Sequence, residues 1–347
     1  GNWYKEQSRL EEAVASYGIA LAYRPDSVSA HWNRALARLQ QGNFADGWAE
    51  YEWRWQRKQT PMRRFRQPRW DGAPLAGRTI LLWMEQGLGD MIQFIRYAAL
   101  LQEHGGRVVV ESPGFLIPLF STCPGIAQLV AEGSPLPDFD VHAPIMSLPH
   151  LCRTTLTSIP AKVPYLFAND VLVETWARQL ARYDGDYRIG ITWQGNPHHR
   201  HDRYRSIPVQ LFAPLGRLPG VRLISLQKGS GSDQLDSIRD RFEIIVLPSE
   251  QDAAVAFMDT AAIMRNLHLV ITVDTAIAHL AGALGVPVWT AIAAIPDWRW
   301  LLDRADSPWY PTVRIFRQRE LGNWREVIDR MSAEIARQRA GHLGVDA

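Results

Sequence analysis

The chain has 347 residues, 46% of them hydrophobic, with 38 basic and 36 acidic side chains and a formal net charge of +2. That length allows two domains of ordinary size plus an appendage, and so small an excess of charge gives no general electrostatic case for nucleic acid as a partner. Two cysteines without a CxxC pair support neither a disulfide framework nor structural zinc, and no run approaches the ~20 apolar residues that span a bilayer, so a reducing, cytoplasmic setting fits, including one at the inner face of a membrane.

At the N-terminus, a comparison at a spacing of 34 sets Leu10 against Phe44, Ser8 against Gly42, Ala13 against Gly47 and Tyr17 against Tyr51. This is the tetratricopeptide period, in which small residues sit where two helices touch and a breaker such as Pro25 closes the unit. The second copy has Gly47 for alanine and no proline equivalent to Pro25, as a terminal repeat would. Arrays need about three repeats to bury a continuous face, so further repeats are expected before Gly1. Residues 1–60 read as the end of the array and 61–75 as a linker, within a basic stretch at 57–69 with prolines at 61 and 68.

Strands and helices then alternate. A continuous apolar run at 79–84 predicts a buried parallel strand, 90–103 a helix, 107–111 and 126–131 a second and a third strand, and 163–167 a later edge strand, forming a first domain over 76–183. A helix at 170–182 leads to a second series with strands at 188–193, 221–226, 243–246, 267–273 and 286–291, in a domain over 184–320. The remaining segment, 321–347, carries a helix at 324–339. Alternation of this kind predicts an α/β fold: two tandem Rossmann-like domains with parallel sheets, preceded by an α-helical repeat segment, and with ligands at the carboxyl ends of the strands. Fourteen tryptophans, several clustered at 48–55 and 298–309, read as packing surfaces.

Four strand-to-loop segments can carry chemistry. Val273 runs into Asp274-Thr275-Ala276 and a small-residue helix with His279 one turn on, where unpaired N–H groups and the helix dipole favour an anion such as a diphosphate. Glu85-Gln86-Gly87-Leu88-Gly89-Asp90 lets backbone approach a ligand but lacks the lysine and Ser/Thr of a P-loop; Asp90 reads either as a base or as a helix cap with Gln93. Trp193-Gln194-Gly195-Asn196 continues through a basic loop to Arg205-Ser206, with Arg200 the weaker cation. His198, His199 and His201 in that loop lack a strand or helix to fix them, so no metal is expected. Finally, Gln227-Lys228-Gly229 follows a strand, and Lys228 could reach phosphate or ribose or be an exposed turn lysine.

Together these segments resemble glycosyltransferase family 9, the heptosyltransferase-like group of GT-B fold, and bacterial tetratricopeptide proteins that carry such a domain at their C-terminus. The resemblance implies inverting, metal-independent transfer from a nucleotide-diphosphate sugar without a cofactor, with Asp90 as general base and 86–89 as the acceptor-side loop. It implies donor contacts from Gln194, Gly195, Asn196, Arg205, Ser206, Gln227, Lys228, Gly229, Met258, Asp274, Thr275, Ala276 and His279. Ala276 stands where these enzymes usually place glycine, and Arg205 near where a phosphate-binding lysine is expected, so the heptose assignment is not carried over. Repeats joined to such a unit also resemble the O-linked N-acetylglucosamine transferases. The acceptor is accordingly a glycan, a lipid or a protein, the last recruited through the repeats, and a non-catalytic scaffold is the reading from another class.

Overall fold

The structure is a computed structural model that describes residues 1–342 except 59, 61, 200 and 249–255; Arg200 and Pro61 therefore lie outside the described residues. The chain forms two compact units, the first made of Gly1–Phe167 with Ile295–Pro311, the second of Ala168–Ala294 with the chain from Thr312 onward.

The first unit begins with helices α1 (Asn2–Glu6), α2 (Leu10–Tyr23), α3 (Val28–Gln40) and α4 (Phe44–Tyr51). Ser8 and Gly42, one repeat apart, both adopt positive φ, at 57° and 82°, so the same left-handed turn recurs at the same register. Ala13 is fully buried where helices meet. Its counterpart Gly47 has a packing reason: a Cβ there would stand 2.7 Å from Leu39 Cδ2 of the neighbouring helix. The sequence therefore keeps the close approach while changing the residue that allows it.

Beyond the linker, four parallel strands run in the order β3-β2-β1-β4: β1 (Thr79–Trp83), β2 (Arg107–Ser112), β3 (Ile126–Ala131) and β4 (Val141–Pro144). Ile80, Leu81 and Leu82 are wholly buried, which accounts for an uninterrupted apolar run rather than alternation. Helices α5 (Leu88–Phe94) and α6 (Tyr97–Glu103) divide the helix expected over 90–103. The linker is not loose, since Phe65 packs against Leu81, Val109, Val130 and Phe139.

The edge strand expected at 163–167 is absent, and β4 lies beside β1 instead. Pro164 has no N–H for a ladder. Side chains hold the segment in its place: the Tyr165 hydroxyl donates to Ile92 O at 2.9 Å and accepts from Arg96 at 2.9 Å.

The second unit opens with helix α7 (Asp170–Leu180) and has five parallel strands in the order β6-β5-β7-β8-β9: β5 (Tyr187–Ile191), β6 (Val221–Ser225), β7 (Leu269–Val273), β8 (Val288–Ile292) and β9 (Val313–Arg317). The strand expected at 243–246 shrinks to one bridge between Ile224 and Ile245, and β9, whose arginines mask its alternation, takes the far edge. Helices α8 (Ala256–Met264), α9 (Ala276–Ala283) and α10 (Trp324–His342) complete the unit. Trp324, Val327, Ile328, Met331 and Ile335 of α10 join the core around Ile189, Ile191 and Phe212, so the last helix belongs to this unit.

In both sheets the chain reverses direction across the sheet beside its first strand. The switch lies between β1 and β4 in the first unit and between β5 and β7 in the second. At such points the loops leaving neighbouring strands separate, and ligands bind at the carboxyl edge.

Candidate active site

The loop after β7 and the loop after β5 meet at the switch point of the second unit. Thr275 caps α9, its Oγ1 accepting from Ile277 N–H at 3.3 Å, while Asp274 precedes the cap. The cap belongs to a chain of hydroxyls: Thr192 and Thr272 lie 2.5 Å apart in the interior, and Thr272 is 3.3 Å from Thr275. Ala276 opens the helix and His279, buried, follows one turn after Thr275.

Arg205 ties the two loops together. Its Nη1 donates to Asp274 O at 2.8 Å and its Nε to Asp202 Oδ1 at 3.2 Å. Gly195 leaves room for that guanidinium, for a Cβ there would come within 2.5 Å of Arg205 Nη2 and 2.6 Å of Asp202 Oδ1. Ser206 Oγ accepts from Gly195 N–H at 3.1 Å, and Asn196 Oδ1 accepts from His198 N–H at 3.0 Å to fold the exposed start of the loop. Gln194 Oε1 accepts from Gln234 at 2.6 Å.

Gln227 is a staple. Its Oε1 accepts from Trp193 and Gln194 N–H, each at 3.1 Å, and its Nε2 donates to Gln194 O at 3.1 Å and Ser230 O at 2.8 Å. Its amide is thus spent on shaping the loop. Gly229, at φ 70°, turns the chain beyond Lys228, whose half-exposed Nζ is 4.0 Å from Asp259 Oδ2. Met258 is buried, with Sδ accepting from Asn169 N–H at 3.2 Å, so its contacts are internal to the unit.

In the first unit, Gly87, Leu88 and Gly89 lead from β1 into α5 at the other switch point. Asp90 stands in the first turn, and its Oδ2 accepts from Gly87 N–H at 2.7 Å. The cap thus starts at Gly87, with Asp90 reaching back to it, rather than at Asp90 with Gln93. Asp90 Oδ1 is paired with Arg299, a residue the sequence reading did not single out. Arg299 also donates to Gln93 Oε1 at 2.7 Å and to Asp297 Oδ1 at 2.8 Å. Burial opposes its charge, but Asp297 and Asp90 outweigh burial and hold the guanidinium protonated more firmly than usual. The only signal for it in the sequence is its place between Trp298 and Trp300.

The repeat segment reaches the same loop. Gln86 Nε2 donates to the Tyr51 hydroxyl at 2.9 Å, and burial keeps that phenol neutral by pushing its pKa far up. Arg54 donates from Nη2 and Nε to the Glu85 carboxylate at 2.7 and 3.0 Å. Among the described residues, no group of three or more His, Cys, Asp or Glu side chains is placed to hold a metal ion, and no helix is long and apolar enough to cross a membrane.

Comparison with known structures decides the architecture. A glycosyltransferase family 9 protein from Veillonella parvula superposes with a TM-score of 0.54 at 12% identity, over 77% of this chain and 90% of its own. The fold is GT-B. Escherichia coli ADP-heptose heptosyltransferase II matches with a TM-score of 0.50 at 13% identity, over 74% of this chain and 99% of its own. A family model described as a TPR repeat matches residues 1–42. Protein FlbA of Caulobacter vibrioides is 27% identical over 333 residues, a match that covers 89% of this chain and 55% of FlbA, so the chain spans about half the length of that relative.

Proposed function

We propose that the protein is a glycosyltransferase that moves a sugar from a nucleotide-diphosphate donor to an acceptor hydroxyl. The observation that carries this is the meeting of Arg205 with Asp274 O at the N-terminus of α9, at the switch point of a GT-B second unit. The positive end of the α9 dipole, a guanidinium and the nearby Lys228 suit a diphosphate leaving group without a metal ion. Asp90 is the general base. It takes the acceptor O–H proton as that oxygen bonds to the anomeric carbon, the bond from that carbon to the phosphate oxygen breaks, and nucleoside diphosphate departs with inversion.

The repeats favour a protein acceptor over a glycan or lipid, because they contact the catalytic loop through Tyr51 and Gln86 instead of hanging from a free tether. A thermal-shift panel of ADP, GDP, UDP and CDP sugars tests donor binding, with stabilisation of about 2.7 kcal/mol expected at a hundredfold excess over Kd. No shift with any member would favour a scaffold. For the base, Asp90→Asn should leave donor Kd intact and lower turnover by about 10² or more. His279→Ala should weaken donor affinity.

A further inference from the structure

A general base must be ionised and held in one orientation, and Asp90 alone, in a first helical turn, has neither property guaranteed. The Ile295–Pro311 segment leaves the second unit between β8 and β9 and packs in the first. Its short turn Trp298–Trp300 puts the Arg299 guanidinium on Asp90 and on Gln93, two residues one turn apart on α5. The arginine is itself immobilised: Asp297 accepts from Nη1 at 2.8 Å, the Trp298 ring centroid lies 4.2 Å from its central carbon, and only 8% of the residue is exposed. Leu301, directly after the turn, has φ 49°, a conformation that L residues rarely adopt, so the turn ends abruptly with Arg299 in place.

We propose that Arg299 is a positioning residue for Asp90, holding the carboxylate ionised and fixing its rotation. The inference rests on Asp90 being the base. Arg299 covers one carboxylate oxygen and Gly87 N–H the other, which pins the rotation of the group. Charged and titratable groups near Asp90 include Arg299 and Asp297 from the returning turn and Tyr51 from α4. An arginine suits this task better than a lysine because its planar fork spans Asp90 and Gln93 at once.

The test uses the full chain with Arg299→Gln and Arg299→Lys. Carboxyl carbon NMR of aspartate-labelled protein, with the Asp90 resonance assigned by its loss in Asp90→Asn, reads the titration without substrate. In Arg299→Gln the Asp90 titration should move up by about 1–3 pH units, as for a carboxylate losing an adjacent arginine. The acid limb of kcat should move with it while donor Kd stays at the wild-type value. In Arg299→Lys the titration should stay near wild type, but kcat should fall about tenfold as the fork is lost. An Asp90-dependent turnover with an unmoved titration in Arg299→Gln overturns this proposal alone. Full turnover in Asp90→Asn overturns it together with the base assignment. Should Arg299→Gln not fold, Arg299→Lys decides, and wild-type kcat in that variant overturns the proposal.

Discussion

Arg54→Met probes the joint between the repeat segment and the first sheet. Arg54 is 1% exposed and the Glu85 side chain not at all, and the arginine also donates to Ser147 Oγ at 2.6 Å and pairs with Glu52. Burial pushes the Glu85 carboxyl upward and Arg54 pulls it back. The arginine is held protonated against its own desolvation by that carboxylate. Removing it leaves an uncompensated carboxylate in the interior, which costs about 3–5 kcal/mol. At about 2–4 °C per kcal/mol for a unit of this size, the melting transition of the first unit should fall by about 6–20 °C in calorimetry. The sign with pH follows. Without Arg54 the folded chain holds the Glu85 proton to higher pH than the unfolded chain does, so the deficit grows as pH rises above about 4.3. Arg54→Met with Glu85→Gln removes both charges and should recover part of the loss. A single variant within about 1 kcal/mol of wild type, or a double variant no better than the single, would refute the reasoning.

Other positions give separate checks. Gly195→Ala should displace the Arg205 guanidinium, which a Cβ would approach to 2.5 Å. Loss of a charge-assisted contact predicts donor binding weaker by about tenfold or more in calorimetric titration at unchanged melting temperature, and wild-type affinity would sink the assignment. Gly125→Ala places a Cβ 2.5 Å from Ala99 backbone at φ 90°, so denaturant unfolding should show a loss of about 1–3 kcal/mol or more. Burial pushes the Cys123 and Cys152 thiols up to about 12. Iodoacetamide at pH 8 should alkylate the native chain about a hundredfold more slowly than the denatured chain, and equal rates would contradict the burial.

What the sequence made legible was local. The buried runs of β1 and β2 and the strand-to-helix loops at Asp90 and Asp274 announce themselves within a dozen residues, because their signals are apolar runs and turn residues next to one another, and the repeat register shows at one fixed spacing. The failures have equally physical causes. Val163-Pro164-Tyr165-Leu166-Phe167 is apolar enough for a strand, yet the proline lacks a donor and the tyrosine is spent on Ile92 and Arg96. Val313–Arg317 carries two arginines on an edge and so looks like a loop. Arg299 was illegible for a different reason: its partner Asp90 is 209 positions earlier, and no periodicity reports a contact of that separation.

The aromatic seam under α4 has a practical consequence. Trp48 packs edge-on to Phe94 and Trp298, with ring centroids 6.2 and 5.0 Å away, and Phe44 stacks on Trp309 at 5.8 Å. Cutting the chain at the linker to make a minimal two-sheet protein would strip half of this seam, leave several large rings facing water and remove the supports of Gln86 and Glu85 together. The repeat end and the sheet below it would therefore be inherited, expressed and engineered as one piece, and a swap of repeats between relatives would have to be spliced upstream of α3.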